Sequence, residues 1–532
     1  MEGGALKTNK DKSQQKSKRI AVLLVILSVS TSLFAEKGFR LLTTISGEKS
    51  GDQFCTVKNV GDVNGDGFND LLVGAAEASY TKLYYGGSDF DTIADLTMRV
   101  PKHYDYFGQT LAAGDLNNDG FSDFAIGAPY YDEYNRCGKI FVYFGGTNID
   151  STADMEIEGY GYWHLMGSRI VCDIDVNGDG YQDLLTCSGQ YPRKTYIYFG
   201  GTNMDIVPDI CLSGKDSIIC NVEGPSGIGD INNDGYDDFF VSVRADVGLP
   251  NYLPGTGQYL IYGGENINLE NSVIFKNDST LGWRRNTQGI GDINNDEYND
   301  FFISYDNADY SNTDRILFYS GYNLDVIDSI NMIADIYSSN GGFDIDYDGY
   351  NDFMCGFSKP ESEYIGDLFI YLGGSDFYNI NPSYILQGEN SFDYFGISCS
   401  FLGDINNDGL PEIAIGKRSG NGKVYIYSFG DFQDRIDDRY GVKSDEFTVL
   451  KAYPNPFNNS TVIEYCLKAK SQVRIDIYDL SGQKVITLSN EVRQPGINRV
   501  VFNSHNYVSG IYICRITIND IQEETMKILL LK

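Results

Sequence analysis

Acidic and amide side chains recur along the chain in one nine-residue pattern. The first copy reads Asp62-Val-Asn-Gly-Asp-Gly-Phe-Asn-Asp70, and six more copies begin at intervals of 52 to 62 residues. Carboxylates or carboxamides occupy positions 1, 3, 5 and 9, and position 6 is Gly in six copies. A glycine allows the positive φ of a tight turn, which directs the side chains at positions 1, 3 and 5 inward. Calcium takes about six to eight such oxygens, so the pattern predicts a calcium-binding loop.

The predicted calcium ligands are the side chains at positions 1, 3, 5 and 9 of every loop. They are Asp62, Asn64, Asp66, Asp70; Asp115, Asn117, Asp119, Asp123; Asp175, Asn177, Asp179, Asp183; Asp230, Asn232, Asp234, Asp238; Asp292, Asn294, Asp296, Asp300; Asp344, Asp346, Asp348, Asp352; and Asp404, Asn406, Asp408, Glu412. A single copy could equally be a turn closed by its own side chains. Seven copies in phase favour calcium, with up to seven structural ions.

The fifth loop departs from the pattern because Glu297 replaces the position-6 glycine. A side chain at positive φ costs roughly 1 kcal/mol or more. We therefore expect the fifth site to bind calcium weakly or not at all. Glu412 closes the seventh loop with a longer arm, which should be tolerated.

The segments around each loop predict the fold. An apolar run follows every loop, and a second run then usually ends in two glycines, as at Gly86-Gly87. Each repeat thus holds about four short strands, which is one blade of a propeller. We predict an all-β protein in which residues 38–430 form a seven-bladed β-propeller. The last repeat lacks one strand, so residues 41–47 are predicted to complete the seventh blade and close the ring.

Motifs beside the loops resemble a known family. Tyr106-Phe107-Gly108 precedes the second loop, Gly127-Ala128-Pro129 follows it, and Tyr394-Phe395-Gly396 repeats the first motif. Together with the loops they resemble FG-GAP repeats of the integrin α-subunit propeller. The resemblance implies structural calcium on one rim and ligand binding on the opposite face.

The C-terminal part has a different pattern. Residues 431–446 are polar and predict a linker, and the alternating strands of residues 447–532 predict a small β-sandwich. Pro454-Asn455-Pro456, the hairpin at residues 480–485, Gly510-Ile511-Tyr512 and residues 527–532 resemble the type A C-terminal sorting domain of the type IX secretion system. That resemblance implies the type IX machinery as a partner. The alternative is an ordinary accessory sandwich.

The N-terminus predicts a signal peptide over residues 1–35. A basic segment precedes the apolar residues 20–29, and small residues follow up to Ala35. The alternative is an uncleaved anchor, and no later segment is apolar enough to span a membrane. With the sorting domain, this predicts a secreted or outer-cell-surface protein. The ten cysteines lack a CxxC pair, and several lie in apolar runs, so buried thiols are favoured over a disulfide framework.

Charge and composition narrow the function. A net charge of −33 argues against nucleic-acid binding. There are three histidines and no nucleophile-elbow or HExxH pattern, so we predict a binding protein rather than an enzyme. The candidate ligand-binding residues are aromatic or imidazole side chains in loops expected opposite the calcium rim. They are His103, Tyr104, Tyr130, Tyr131, Tyr162 and Trp163.

Two hypotheses remain from the sequence. The first is a calcium-binding propeller for adhesion or recognition of an extracellular glycan or protein. The alternative is a secreted polysaccharide-active hydrolase or lyase on the same scaffold. Tyrosine is also common throughout the chain, so the aromatic loop residues could instead serve packing.

Overall fold

The computed structural model describes residues 38–532 except 101–104, 133, 190–192, 214–218, 246–255, 277–282, 307–313, 333–334, 359–363, 376–381, 431–446, 454–456, 459, 468–469, 480–482, 495, 504–506 and 520–521. Several predictions concern residues outside this set. They are the signal peptide (1–35), the linker (431–446), His103, Tyr104, and residues 454–456 and 480–482 of the sorting motifs.

The chain divides into two compact units, one ending at Gln433 and the other beginning at Asp434. The described residues of the first unit form seven four-stranded antiparallel sheets, the blades. Blade 1 comprises β2 (Phe54–Asn59), β3 (Leu71–Ala75), β4 (Tyr80–Tyr84) and β5 (Leu96–Arg99), with a 3-10 turn at Ala76–Ala78. Blade 2 comprises β6 (Thr110–Gly114), β7 (Asp123–Ala128), β8 (Lys139–Tyr143) and β9 (Met155–Glu158). Blade 3 comprises β10 (Ile170–Val171), β11 (Leu184–Cys187), β12 (Thr195–Tyr198) and β13 (Ile210–Leu212).

The remaining blades repeat this order. Blade 4 comprises β14 (Ile219–Gly229), β15 (Asp238–Ala245), β16 (Gly257–Ile261) and β17 (Val273–Lys276). Blade 5 comprises β18 (Trp283–Gly291), β19 (Asp300–Asp306), β20 (Asp314–Tyr319) and β21 (Val326–Met332). Blade 6 comprises β22 (Asp335–Phe343), β23 (Asp352–Ser358), β24 (Asp367–Tyr371) and β25 (Tyr384–Gln387). Blade 7 comprises β26 (Ser398–Gly403), β27 (Glu412–Lys417), β28 (Lys423–Gly430) and, from the start of the chain, β1 (Gly38–Ser46).

The ring is closed by β1. It pairs antiparallel with β28, from Gly38 opposite Gly430 to Ser46 opposite Lys423. The first strands of the blades, β2, β6, β10, β14, β18, β22 and β26, contact one another in cyclic order. The predicted seven-bladed propeller and its closing strand are therefore confirmed, with the strand beginning at Gly38 rather than Leu41.

The core lies between the blades, because both faces of each central sheet are covered by neighbours. All residues of β3 and β7 are buried. Cross-strand aromatic pairs recur in register, with ring centroids 4.9 Å apart for Phe124 and Tyr143. The corresponding distance is 4.6 Å for Phe353 and Tyr371. Such aromatic pairs explain why the strands are rich in Phe and Tyr.

The second unit is a β-sandwich. One sheet orders β29 (Phe447–Tyr453), β30 (Ser460–Leu467) and β33 (Gly496–Asn503). The other orders β32 (Lys484–Arg493), β31 (Ser471–Asp479), β34 (Gly510–Ile518) and β35 (Gln522–Leu530). Side chains of both sheets form one core, which includes Tyr465, Phe502, Ile475 and Ile516.

The described residues also bear on the expected buried thiols and on membrane-spanning segments. Eight cysteines there are free thiols, and all except Cys211 are buried. In the part of the chain that the structure describes, no helix is both long and apolar enough to cross a bilayer.

Candidate metal sites and the opposite face

All seven acidic loops lie at one end of the ring. Each joins the first strand of a blade to the second, as the loop after β2 leads into β3. The turns between second and third strands, and the connections between blades, must then lie at the other end. We call these two ends the acidic face and the open face.

The aspartate at position 1 organises each loop. Asp62 Oδ1 accepts a hydrogen bond from the Asp66 N–H at 3.1 Å, and Oδ2 accepts one from the Gly67 N–H at 2.7 Å. The same two bonds recur in the other six loops. Asp62 Oδ1 also accepts from the Gly65 N–H at 2.7 Å, whereas Oδ2 accepts only the Gly67 bond and keeps a lone pair that can face a cation.

The side-chain oxygens at positions 3 and 5 accept hydrogen bonds from backbone N–H groups within their own loop. Asn64 Oδ1 accepts from the Asp66 N–H at 2.9 Å, and Asp66 Oδ1 accepts from the Phe68 N–H at 3.0 Å. In the sixth loop, where position 3 is acidic, carboxylate oxygens of Asp344, Asp346 and Asp348 all lie within 4.8 Å of one another. Three negative groups at this separation repel each other unless a cation lies among them.

Positive φ angles shape the loops at two positions rather than one. At position 6 the angle is +90° for Gly67, and Glu297 adopts the same left-handed region at +73°. Position 4 is also left-handed in every loop, from +52° at Asn118 to +80° at Gly65. The sequence analysis did not identify position 4, although its Gly and Asn residues, interrupted by Tyr347, carried the signal.

The acid at position 9 is the buried member of the set. Asp70 Oδ2 accepts from the Val63 N–H at 2.9 Å and Oδ1 from the Gly86 N–H at 2.8 Å. The equivalent pairs form at Asp123, Asp183, Asp238, Asp300 and Asp352. Glu412 keeps the first of these bonds, from the Ile405 N–H, but its other oxygen accepts from the Asn406 side-chain amide.

Burial changes the acidity of these position-9 carboxyls. Burial raises the pKa of Asp70 to about 7 and that of Glu412 to about 8, with neighbouring acids adding to the effect. Among the described residues, no Lys or Arg forms an ion pair with a position-9 acid. In the fifth loop, Asn294 Oδ1 is buried without a hydrogen-bond partner. Uncompensated buried oxygens of this kind fit a hard cation such as calcium.

Neighbouring loops are joined around the ring. The Ser122 N–H at position 8 of the second loop donates to the Asp62 carbonyl of the first at 2.9 Å, and the Asn351 N–H donates to the Asp292 carbonyl at 2.9 Å. The Gly146 N–H, in a glycine pair after a third strand, donates to the Val63 carbonyl at 2.8 Å. Sequence reasoning missed position 8, although it is Asn, Ser, Gln or Asp in six loops.

The open face brings three of the aromatic candidates together. The Arg136 guanidinium lies 4.3 Å from the Trp163 ring and 5.2 Å from the Tyr130 ring. Tyr162 packs edge-on against Trp163 at 5.9 Å. Trp163 is 38% exposed and Tyr162 60% exposed. We call Tyr130, Arg136, Tyr162 and Trp163 the aromatic platform.

The other candidates are placed differently. Tyr131 is partly buried, with its ring 4.1 Å from the Lys139 ammonium and 6.0 Å from the Phe141 ring. His103 and Tyr104 lie outside the described residues. A second aromatic group on the open face, which sequence reasoning did not single out, joins Tyr337, Tyr364, Phe392 and Tyr394.

Comparisons with known proteins agree with this architecture. The FG-GAP repeat matches residues 59–88 and 107–143, and the secretion system C-terminal sorting domain matches residues 451–531. Integrin alpha-4 of Xenopus laevis is 31% identical over 259 residues, which cover 44% of this chain and 25% of that protein. Integrin alpha-5 of Xenopus laevis is 24% identical over 256 residues, covering 44% and 24% respectively.

A third relative has a different printed description. Phosphatidylinositol-glycan-specific phospholipase D of Rattus norvegicus is 30% identical over 184 residues, covering 31% of this chain and 20% of that protein. The chain thus matches a quarter or less of the length of these relatives. Its likeness to them concerns the propeller repeats rather than a whole protein. The chain carries FG-GAP repeats of the integrin α-subunit type in a β-propeller, followed by a secretion system C-terminal sorting domain.

Proposed function

We propose that this exported propeller is braced by calcium on its acidic face and recognises an extracellular glycan or protein through its open face. The sorting domain supports delivery to the outer surface or the medium by the type IX machinery. The propeller supports a role in adhesion or ligand recognition, because such a ring presents many loops on a rigid frame.

Calcium would be held by the oxygens of positions 1, 3, 5 and 9 in each loop. Its double charge would offset the repulsion among three or four carboxylates, and it would fix the loop conformation. Since adjacent loops are hydrogen-bonded to each other, order in one loop supports order in the next. The chemistry supplied is therefore structural cross-linking, with the ligands drawn from the acidic residues already described.

The aromatic platform is the observation that carries the recognition role. Arg136 lies against both the Tyr130 and Trp163 rings, and the backbone N–H of Trp163 donates to the Asn135 carbonyl at 2.6 Å. Such contacts hold exposed rings in fixed positions, which lowers the entropy lost on binding. Rigid, half-exposed Tyr and Trp rings suit stacking on a sugar or on a protein side chain.

A glycan array with the calcium-loaded protein tests this role. We expect Trp163→Ala to abolish or strongly weaken binding to any positive glycan or surface protein while calcium-dependent melting stays unchanged. Tyr131→Ala is the matched variant, and it should lower the melting temperature because Tyr131 packs against Phe141. A melting shift for Trp163→Ala with intact binding would show that Trp163 serves packing instead.

The same preparation separates binding from catalysis. A binding protein leaves an array-positive polysaccharide intact, whereas a hydrolase or lyase releases new reducing ends from it. Release that survives purification and is lost in a propeller variant would favour the polysaccharide-active alternative.

A further inference from the structure

The ring surrounds a cavity of about 950 Å³ on its axis. Its walls come from the first strands of all the blades, including Thr56 of β2, Thr110 of β6 and Ser398 of β26. Residues with side-chain amides also line it, and they are Gln53, Gln109, Asn286, Gln288 and Asn340. The walls are thus rich in groups that both donate and accept hydrogen bonds.

The charge of this cavity is opposite to that of the chain. The protein has 74 acidic and 41 basic residues, yet Lys58, Arg169 and Arg418 line the cavity with Asp173 as its one acid among the described residues. Lys58 Nζ lies 3.3 Å from Asp173 Oδ2, so those two charges offset each other. This leaves Arg169 and Arg418 as an excess of positive charge, which a cleft with protein walls concentrates.

Neither arginine forms an ion pair with an acid among the described residues. Lys417 differs in this respect from the next residue, Arg418, because Lys417 Nζ lies 2.7 Å from Asp393 Oδ2. An acid does lie nearby, since Glu77 accepts hydrogen bonds from Gln53 and Tyr106 at 3.1 Å each. Glu77 does not line the cavity.

Both arginines lie at the open-face end. Arg169 immediately precedes β10, and Arg418 immediately follows β27, so each is at the end of its strand away from the acidic loops. The Arg418 guanidinium lies 5.9 Å from the Tyr394 ring. Tyr106 and Tyr337 also line the cavity. Positive charge, amides and aromatic rings therefore meet at one mouth.

We propose that this mouth binds an acidic saccharide, with carboxylates of uronate-type sugars paired to Arg169 and to Arg418. The amides would bond the sugar hydroxyls, and the tyrosine rings would face the sugar ring. A short glycan suits the site better than an acidic protein, because a chain of net charge −33 repels a large polyanion at long range. This inference rests on the proposed recognition role and adds the chemical class of ligand.

Calorimetry with the calcium-loaded protein tests the inference. The probes are trisaccharides of galacturonate, mannuronate and guluronate, each compared with its methyl ester, which removes the negative charge and adds only a methyl group. We expect at least one uronate to bind, its ester to bind at least tenfold more weakly, and added salt to weaken binding. Equal binding of acid and ester, or no binding of any uronate, would overturn the proposal. A glutamate hexapeptide that binds as tightly as the best uronate would overturn the assignment to a saccharide.

Charge-matched variants locate the site. Arg169→Gln and Arg418→Gln should each weaken binding about tenfold, as expected for losing a charge-assisted hydrogen bond. Lys423→Gln makes the same charge change outside the cavity lining and should leave affinity unchanged. Lys58 and Asp173 lie at the acidic-face end of the cavity, so Asp173→Asn should change affinity far less than either arginine variant.

The two proposals fail in different ways. If the arginine variants bind normally while Trp163→Ala abolishes binding of another glycan, the cavity assignment is wrong and recognition on the open face stands. If no glycan or surface protein binds at all, the recognition role itself fails.

Discussion

Leu41 of the first strand pairs with Tyr427 of the last strand of the propeller. This pairing joins the beginning of the ring to its end, so β1 supplies the fourth strand of blade 7. Deleting residues 36–47 should lower the melting temperature of the propeller by roughly 5–10 °C, because an entire edge strand is lost. Differential scanning calorimetry measures this, and an unchanged melting temperature would contradict a closing role.

Two point variants in β1 provide the control. Ile45 is 3% exposed and packs in the core between blades, whereas Leu41 is 37% exposed. Ile45→Ala should destabilise by about 2–4 kcal/mol, and Leu41→Ala should cost far less. Equal losses of stability in the two variants would mean that β1 stabilises the ring through its length rather than through the burial of Ile45.

The second prediction concerns Glu297 and the strain at its position. Its φ of +73° is one that glycine adopts freely. Glu297→Gly should therefore stabilise the propeller by about 1 kcal/mol and strengthen calcium binding at the fifth loop. Chemical unfolding and calcium titration give the two readouts.

The matched variant reverses that change in a neighbouring loop. Gly235 occupies position 6 of the fourth loop at φ +89°, with open space where a Cβ would lie. Gly235→Glu should lower stability by a similar amount through backbone strain alone. If both variants are neutral, left-handed strain at position 6 does not limit these loops.

Much of this fold follows from periodicity in the sequence. The phased loops, the apolar runs and the glycine pairs predict seven blades, and counting strands predicts that β1 closes the ring. The acidic positions of the repeated loops could also be identified from the sequence, because carboxylates at fixed spacing have few structural roles. The contact made by the Gln182 side chain could not be predicted from the sequence. Its Oε1 accepts from the Asp115 N–H of the preceding blade at 2.6 Å, a contact set by how blades pack rather than by spacing within one loop.

The groups on the open face also depend on how the blades pack, so the sequence did not predict them. Arg136 gave no signal in the sequence, yet it holds Tyr130 and Trp163 in one group. The positive cavity mouth combines Arg169 and Arg418, which lie in different blades of a strongly acidic chain. Composition gives only the net charge of the chain, whereas the charge of the cavity depends on which few side chains line it.

Calcium removal carries the third prediction. EGTA should lower the melting temperature of the propeller by roughly 10 °C or more, because each filled site adds about 2.7 kcal/mol at 100 times its dissociation constant. Added calcium should restore it, and magnesium should not, since magnesium prefers a smaller octahedral site. No change with EGTA would contradict structural calcium.

Asp123→Asn probes one site within that set. Asp123 accepts from the Leu116 and Gly145 N–H groups, and an amide NH2 in place of one oxygen would leave a buried N–H unsatisfied. We expect a loss of about 1–3 kcal/mol and one fewer calcium ion bound per chain. Asp150→Asn, in an exposed turn of the same blade, should do neither.

Asp393 and Lys417 carry the last prediction, which concerns acid stability. Burial alone would raise the pKa of Asp393, but hydrogen bonds from Lys417, Ser419 and Asn390 outweigh it and hold the pKa below its usual value. A carboxyl with a lowered folded pKa stabilises the fold above its unfolded pKa, and this contribution is lost as the pH falls through the folded value. Asp393→Asn should therefore destabilise by about 3 kcal/mol at pH 7, since it leaves a nearly buried Lys417 without its partner. The difference from the parent protein should shrink progressively below about pH 4 in urea unfolding at stepped pH. A difference that stays constant down to pH 2 would show that the ionised pair contributes nothing.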